Sequence, residues 1–208
     1  ASSTKEAFRY LEGDRWVSLS WTQTKDKAFQ LAAGLLALGV EPEDRVAIAS
    51  NTRIEWILAD LAIMSAAGAT TTIYPSTQHE DVGYILADSQ TKVIFAEDDV
   101  QVSKVLDHLD ELPQLITIVQ LDGKVDHAKV IGWADLEKLG RDYLAANPTA
   151  LDDVIAAIKP QDLATLIYTS GTTGKPKGVR LVQDNWTYEG AAIEAYDIIY
   201  PDDLQYLW

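Results

Sequence analysis

The sequence predicts an α/β fold, a mainly parallel sheet with helices on both faces. Three observations carry that expectation. Between residues 45 and 119, short strand-like apolar runs alternate with segments of helical period, the pattern of parallel strands joined by helices. Residues 45–50 (RVAIAS) hold few polar side chains, as a strand covered on both faces does. Hydrophobic residues make up 47% of the 208, ample for a core.

In chain order, residues 7–11 and 16–20 are rich in aromatic and β-branched residues and are separated by Glu12, Gly13 and Asp14, which predicts a β-hairpin. Thr22 is placed to cap a helix to about Leu38, with Ala28, Leu31, Ala32 and Leu35 on one face and Gly39 as its stop. After the strand at 45–50, Thr52 and Glu55 have the spacing of a capping box for a helix to about Ala67, with Ile54, Ile57, Leu58 and Leu61 as its buried stripe. A strand at 70–74 is broken by Pro75. Thr77 and Glu80 repeat the capping-box spacing before a helix carrying Val82, Ile85 and Leu86. A strand at 92–96, a helix near 100–109 and a strand at 115–119 complete the alternation. Residues 133–146 and 151–158 read as further helices, 163–168 as a strand, 185–199 as a helix, 201–203 as a turn and 204–208 as the start of a strand. No flexible linker divides the chain into independent domains.

The stretch 163–181 (LATLIYTSGTTGKPKGVRL) is unlike the rest. An apolar run feeds a loop of Thr, Ser and Gly followed by lysines, the composition of a phosphate cradle. Glycines let the backbone approach a ligand, amides and hydroxyls donate to phosphate oxygens, and ammonium groups balance charge. An NTPase P-loop needs Ser or Thr after Gly-Lys, where this chain has Pro176, and the Gly171 to Gly174 spacing is too short. Pro176 and Gly178 would also fall within the opening turns of the required helix, where Pro costs about 3 kcal/mol and Gly about 1. The nucleophile elbow G-x-S-x-G fails at Tyr168, which stands where its first Gly belongs. A plain turn needs about two to five residues and no lysines, so it accounts poorly for this loop.

Residues 168–179 (YTSGTTGKPKGV) resemble the signature phosphate loop of the adenylate-forming (AMP-binding) enzymes, the group of acyl-CoA synthetases, luciferases and peptide-synthetase adenylation domains. Upstream, 39–48 (GVEPEDRVAI), 52–69 (TRIEWILADLAIMSAAGA) and 70–86 (TTTIYPSTQHEDVGYIL) are similar to the N-terminal part of that family's large domain. Ile73-Tyr74-Pro75 looks most like the long-chain fatty acyl-CoA synthetase branch. The resemblance implies a two-step ligation: a carboxylic acid, here a fatty acid, attacks the α-phosphate of ATP with Mg2+, and the coenzyme A thiol then displaces AMP. It further implies that Thr169, Ser170, Thr172 and Thr173 offer hydroxyls to the phosphates, Gly171 and Gly174 allow close approach, and Lys175 and Lys177 supply charge. Thr169 would also approach the magnesium. The adenine segment, ribose-binding aspartate, magnesium-binding glutamate and catalytic lysine of the family would lie beyond Trp208. Residues 1–208 are therefore expected to be a partial N-terminal (AMP-binding) domain with no catalytic residue of its own, inactive alone. Transfer to a carrier protein in place of coenzyme A, and a non-catalytic nucleotide-binding role, are the alternatives. Two departures stand out: Val182-Gln183-Asp184-Asn185 lacks the His of the family's Thr-His-x-Asn, and Arg180 replaces a more usual apolar residue.

Composition removes other classes. With 32 acidic against 17 basic residues, a net charge of −15 disfavours nucleic acid and anionic membrane as partners. The absence of cysteine excludes disulfides, thiolate nucleophiles and zinc-thiolate sites. No run is apolar and long enough to span a bilayer, and residues 1–5 lack the features of a signal peptide, so a soluble and by default cytoplasmic protein is expected. His79, His108 and His127 are scattered singly and read as surface or capping residues, whereas Trp186 is close enough to the loop to line an acyl pocket. Nothing in the sequence sets an oligomeric state.

Overall fold

The structure is a computed structural model that describes residues 4–169, 174–197 and 200. Strands β1 (Glu6–Glu12) and β2 (Arg15–Ser20) form the expected antiparallel hairpin, and α1 (Trp21–Ala37) follows at once. The cap of α1 is Ser20, not Thr22. The Gln23 amide donates to the Ser20 hydroxyl at 3.2 Å, and the Ser20 amide donates to the Gln23 side chain at 2.8 Å. Ser20 is the last extended residue, so the first free helix amides point at its side chain and not at that of Thr22.

Among the described residues seven strands make the main sheet: β3 (Arg45–Ala49), β4 (Ala69–Ile73), β5 (Val93–Ala96), β6 (Thr117–Gln120), β7 (Val130–Gly132), β8 (Leu163–Thr169) and β9 (Lys177–Val182). Their spatial order is β7-β6-β5-β3-β4-β8-β9, with every neighbouring pair parallel except β8 and β9. The sheet is thus mostly parallel. Neither β7 nor β9 follows from the sequence pattern: β7 is three residues long, and β9, the edge strand among the described residues, is exposed over its first four residues and held by its backbone ladder to β8.

Helices cover both faces. On one lie α1, α2 (Ile54–Ser65), α5 (Trp133–Ala146) and α6 (Ala150–Ala157), packed with Val46, Ile48 and Phe95 of the strands. On the other lie α3 (His79–Asp88) and α4 (Asp99–Leu106), packed with Ala47, Ala49 and Ile94. Alternate residues of β3 and β5 therefore serve opposite cores, the reason these strands read as unbroken apolar runs. The buried stripe of α2 is Ile54, Leu58, Ala59, Ala62 and Ile63, which leaves the expected Ile57 and Leu61 half-buried at its border. Neither expected capping box forms on α2 or α3, whose N-caps are Arg53 and Gln78 without a side-chain cap bond. Each helix starts later than the Thr spacing assumed, and Arg53 Nε holds the Glu55 carboxylate at 2.6 Å. α1 and α5 approach closely at Gly140, where an added Cβ would fall 1.7 Å from the Gln30 carbonyl oxygen.

Candidate phosphate-binding site

Strands β7 through β8 run parallel, so their carboxyl ends share one edge of the sheet. The chain leaves β3 toward the α2 face and leaves its neighbours β4 and β5 toward the α3 and α4 face. Diverging connections of this kind open a crevice at the strand ends, the place where α/β sheets bind ligands. β8 delivers the Thr/Gly/Lys loop to that edge. The Leu163 amide, at the start of β8, donates to the Glu43 carboxylate at 2.7 Å. The Gln183 amide donates to the Asp162 carbonyl at 3.0 Å, closing the far end of the β8–β9 hairpin.

Thr169 ends β8 exposed, and Lys177 begins β9 directly opposite it in the ladder. Gly174 and Lys175 are exposed on the incoming side of β9, and the φ of +122° at Gly174 is one that side-chain-bearing residues rarely adopt. The structure thus brings Thr169, Gly174, Lys175 and Lys177 to one hairpin end. Ser170, Gly171, Thr172 and Thr173 lie outside the described residues, as do 201–203 and 204–208 with their expected turn and strand.

Tyr168 pairs with Gly178, one step from the Thr169–Lys177 pair, so strand alternation sends Lys177 to the face opposite Tyr168. Lys175 goes to the Tyr168 side, its Nζ 4.6 Å from the centroid of the Tyr84 ring on α3. On the same helix, Asp88 Oδ2 accepts the Tyr168 hydroxyl at 2.6 Å. Burial, followed by the hydrogen bond to the Asp88 carboxylate, pushes the Tyr168 phenol above its ordinary pKa. Tyr168 separates two clefts. The one at the strand ends, about 260 Å³, is lined by Ile73, Tyr74, Asp81, Ile85 and Pro176. The larger, about 400 Å³, lies toward the start of β3 and includes Arg45, Asp88, Leu166 and Arg180. The smaller one adjoins the crevice and the Lys175 arm, and sheet topology favours it as the ligand side.

Lys104, buried on α4, donates to the carbonyls of Pro75 at 2.7 Å and Thr77 at 2.9 Å, fixing the chain that leaves β4 beside the smaller cleft. Arg53 pairs with Asp122, Glu55 and Glu97, and the hydrogen bonds to Asp122 and then Glu55 raise its already high pKa. Tyr84, Asp88 and Lys104 were not legible as parts of this site. Their partners are far away in the chain, and a Tyr or Lys on an amphipathic helix carries no signal of where it points.

Among the described residues no group of three or more His, Cys, Asp or Glu is placed to hold a metal ion, and no helix is long and apolar enough to cross a membrane. His79 lies 3.2 Å from Asp107, and His108 is packed on Gly83 with Glu111 at 3.6 Å. Trp186, on α7 (Gln183–Ala195), donates its indole N–H to the Thr165 hydroxyl at 3.1 Å. Thr165 neighbours Leu166 on β8 and so lies on the side away from Tyr168.

A family model described as AMP-binding enzyme matches residues 1–208. The chain belongs to the AMP-binding enzyme family. It is 36% identical over 181 residues to the long-chain-fatty-acid–CoA ligase FadD15 of Mycobacterium bovis, covering 87% of this chain and 29% of that protein. It is 34% identical over 183 residues to the long-chain-fatty-acid–CoA ligase ACSBG2 of Xenopus laevis, covering 87% of this chain and 24% of that one. The chain spans less than a third of the length of these curated relatives. A crystal structure of a putative long-chain-fatty-acid CoA ligase from Rhodopseudomonas palustris superposes with a TM-score of 0.69 at 20% identity, over 87% of this chain and 42% of that one. At that identity the likeness attests the α/β fold. The fold places the Thr169–Lys177 end of the β8–β9 hairpin at the carboxyl edge of the parallel strands.

Proposed function

We propose that this chain contributes the phosphate-holding part of an ATP-dependent acyl-CoA ligase acting on long-chain fatty acids. The observation that carries the reading is the hairpin end itself: Thr169, Gly174, Lys175 and Lys177 gathered at the carboxyl edge of a parallel sheet, in a family whose named relatives here are long-chain-fatty-acid–CoA ligases. In this reading Lys175 and Lys177 approach the β- and γ-phosphates from opposite faces of the hairpin. They offset charge that builds on pyrophosphate as the fatty acid carboxylate attacks the α-phosphate. Ser170, Thr172 and Thr173 add hydroxyl donors, while Gly171 and Gly174 let the backbone come close. The local cations matter because the chain as a whole, at −15, repels an anion.

Magnesium fits this site as a companion of the nucleotide. The exposed Thr169 hydroxyl can supply one oxygen and the phosphates others, in keeping with a cation that keeps few protein ligands. When bound, it neutralises charge on the phosphates. Coenzyme A is the acceptor favoured by the relatives' names, over a carrier protein.

The test is ATP–pyrophosphate exchange driven by a long-chain fatty acid in the complete enzyme. A charge-assisted hydrogen bond is worth about 1.5 to 3 kcal/mol, so Lys175→Ala or Lys177→Ala should lower exchange roughly tenfold to a hundredfold. Unchanged exchange in the double Ala variant would sink the assignment. A panel of carboxylic acids in the same assay reads the acyl preference.

A further inference from the structure

We propose that Tyr84 is a positioning residue for Lys175, with the Tyr168–Asp88 bond as the clamp that keeps ring and lysine aligned; this rests on the phosphate-binding reading of the loop. Tyr84 and Asp88 are four residues apart on α3 and so lie one above the other on one helix face. That face meets the hairpin at two points. Asp88 takes the Tyr168 hydroxyl at 2.6 Å, and the Tyr84 ring lies 4.6 Å from the Lys175 ammonium. Tyr168 is the last residue before Thr169 on β8, while Lys175 lies on the arm that enters β9. One rigid helix face therefore grips both arms of the loop. The helix is suited to this, because Val82, Ile85 and Leu86 bury it in the core on that face of the sheet.

The chemistry of the contact matters as much as its place. A carboxylate partner would neutralise the ammonium, and a phosphate would have to displace it. An aromatic ring attracts the cation through its face but carries no net charge. The lysine keeps its full charge, and the N–H groups turned from the ring stay free to meet anionic oxygens. Lys175 is thus held beside α3 without being tied to a competing anion. Lys177, on the opposite face, gains nothing from Tyr84. The two lysines should differ in their dependence on α3.

Steady-state kinetics of the complete enzyme test this. Tyr84→Phe, which keeps the ring face, should match wild type. Tyr84→Leu should raise the KM for ATP about two- to fivefold, the range of an exposed cation–π contact, while leaving the KM values for fatty acid and coenzyme A unchanged. In a Lys175→Ala background Tyr84→Leu should add nothing, whereas in a Lys177→Ala background it should act in full. Tyr84→Met, closer to the original volume, serves if the Leu variant melts early. The proposal is overturned if Tyr84→Leu leaves the KM for ATP unchanged while Lys175→Ala raises it, or if the Leu effect persists without Lys175. Should Lys175→Ala itself leave ATP use unchanged, the phosphate reading fails and this proposal falls with it.

Discussion

Tyr168 meets two neighbours that its sequence context does not announce, the Asp88 carboxylate and Gly178 across the ladder, and it forms the wall between two clefts. In the sequence it excludes a nucleophile elbow and opens the signature stretch 168–179, and neither role places it against α3. Thr169, Lys175 and Lys177 stand out in the sequence as candidates because hydroxyls and cations beside glycines have few other uses, while the Asp88 contact depends on a partner 80 positions away. Another polar contact carries a consequence for pH. The Thr70 hydroxyl donates to Asp60 Oδ1 at 2.6 Å, but burial outweighs that bond and raises the Asp60 carboxyl above its ordinary 3.8. The folded state then holds this proton more tightly than the unfolded one. The stability from this group is therefore greatest in acid, falls as pH rises from the ordinary aspartate value through the raised one, and is level beyond. Asp60→Asn keeps an acceptor for Thr70 and removes the charge. Its Tm should exceed that of wild type at neutral pH, with the gap closing as pH falls toward 4; thermal melts across pH check this, and a constant gap would contradict it.

Elements were legible in proportion to how fully they are buried. β3 and β5, covered on both faces, show their apolar runs openly, as do the buried faces of α1 and α3. β9 does not, because an edge strand is defined by backbone pairing, which leaves no mark on side-chain pattern. Helix starts were misplaced at α2 and α3 because the capping-box spacing recurs by chance wherever Thr and Glu are common, and at α1 because Thr22, a good cap by type, already lies inside the helix that Ser20 caps. The contact of α1 with α5 has a sharp requirement. With the Gln30 carbonyl oxygen 1.7 Å from where a Cβ would stand, Gly140→Ala must push the two helices apart. Overpacking of this kind costs about 1 to 3 kcal/mol, so the variant should unfold at lower urea with an unchanged m-value. Gly190→Ala on α7, where nothing lies within 4 Å of the added carbon, is the control and should be neutral or stabilising.

Across the chain, burial is graded from the centre of the sheet outward. β5 is buried at every residue, whereas β9 and α7 have no buried residue. Native-state hydrogen exchange should follow that gradient, slowest in β3 and β5 and fastest in β9 and α7; equal protection throughout would show that the hairpin is held by more than its ladder. The α/β class and the position of the loop at a strand end were readable because alternation and composition act over many residues at once. The reversed direction of β9 was not, and it has an entropic meaning. Since β9 turns back along β8, Thr169 and Lys177 stand as ladder neighbours, and the chain between them is a ring already closed. Closing a loop of that size is a cost that grows only slowly with its length, and here folding has met it before any nucleotide arrives. A bound phosphate therefore need not bring the two ends of the hairpin together, because Thr169 and Lys177 already stand as ladder partners.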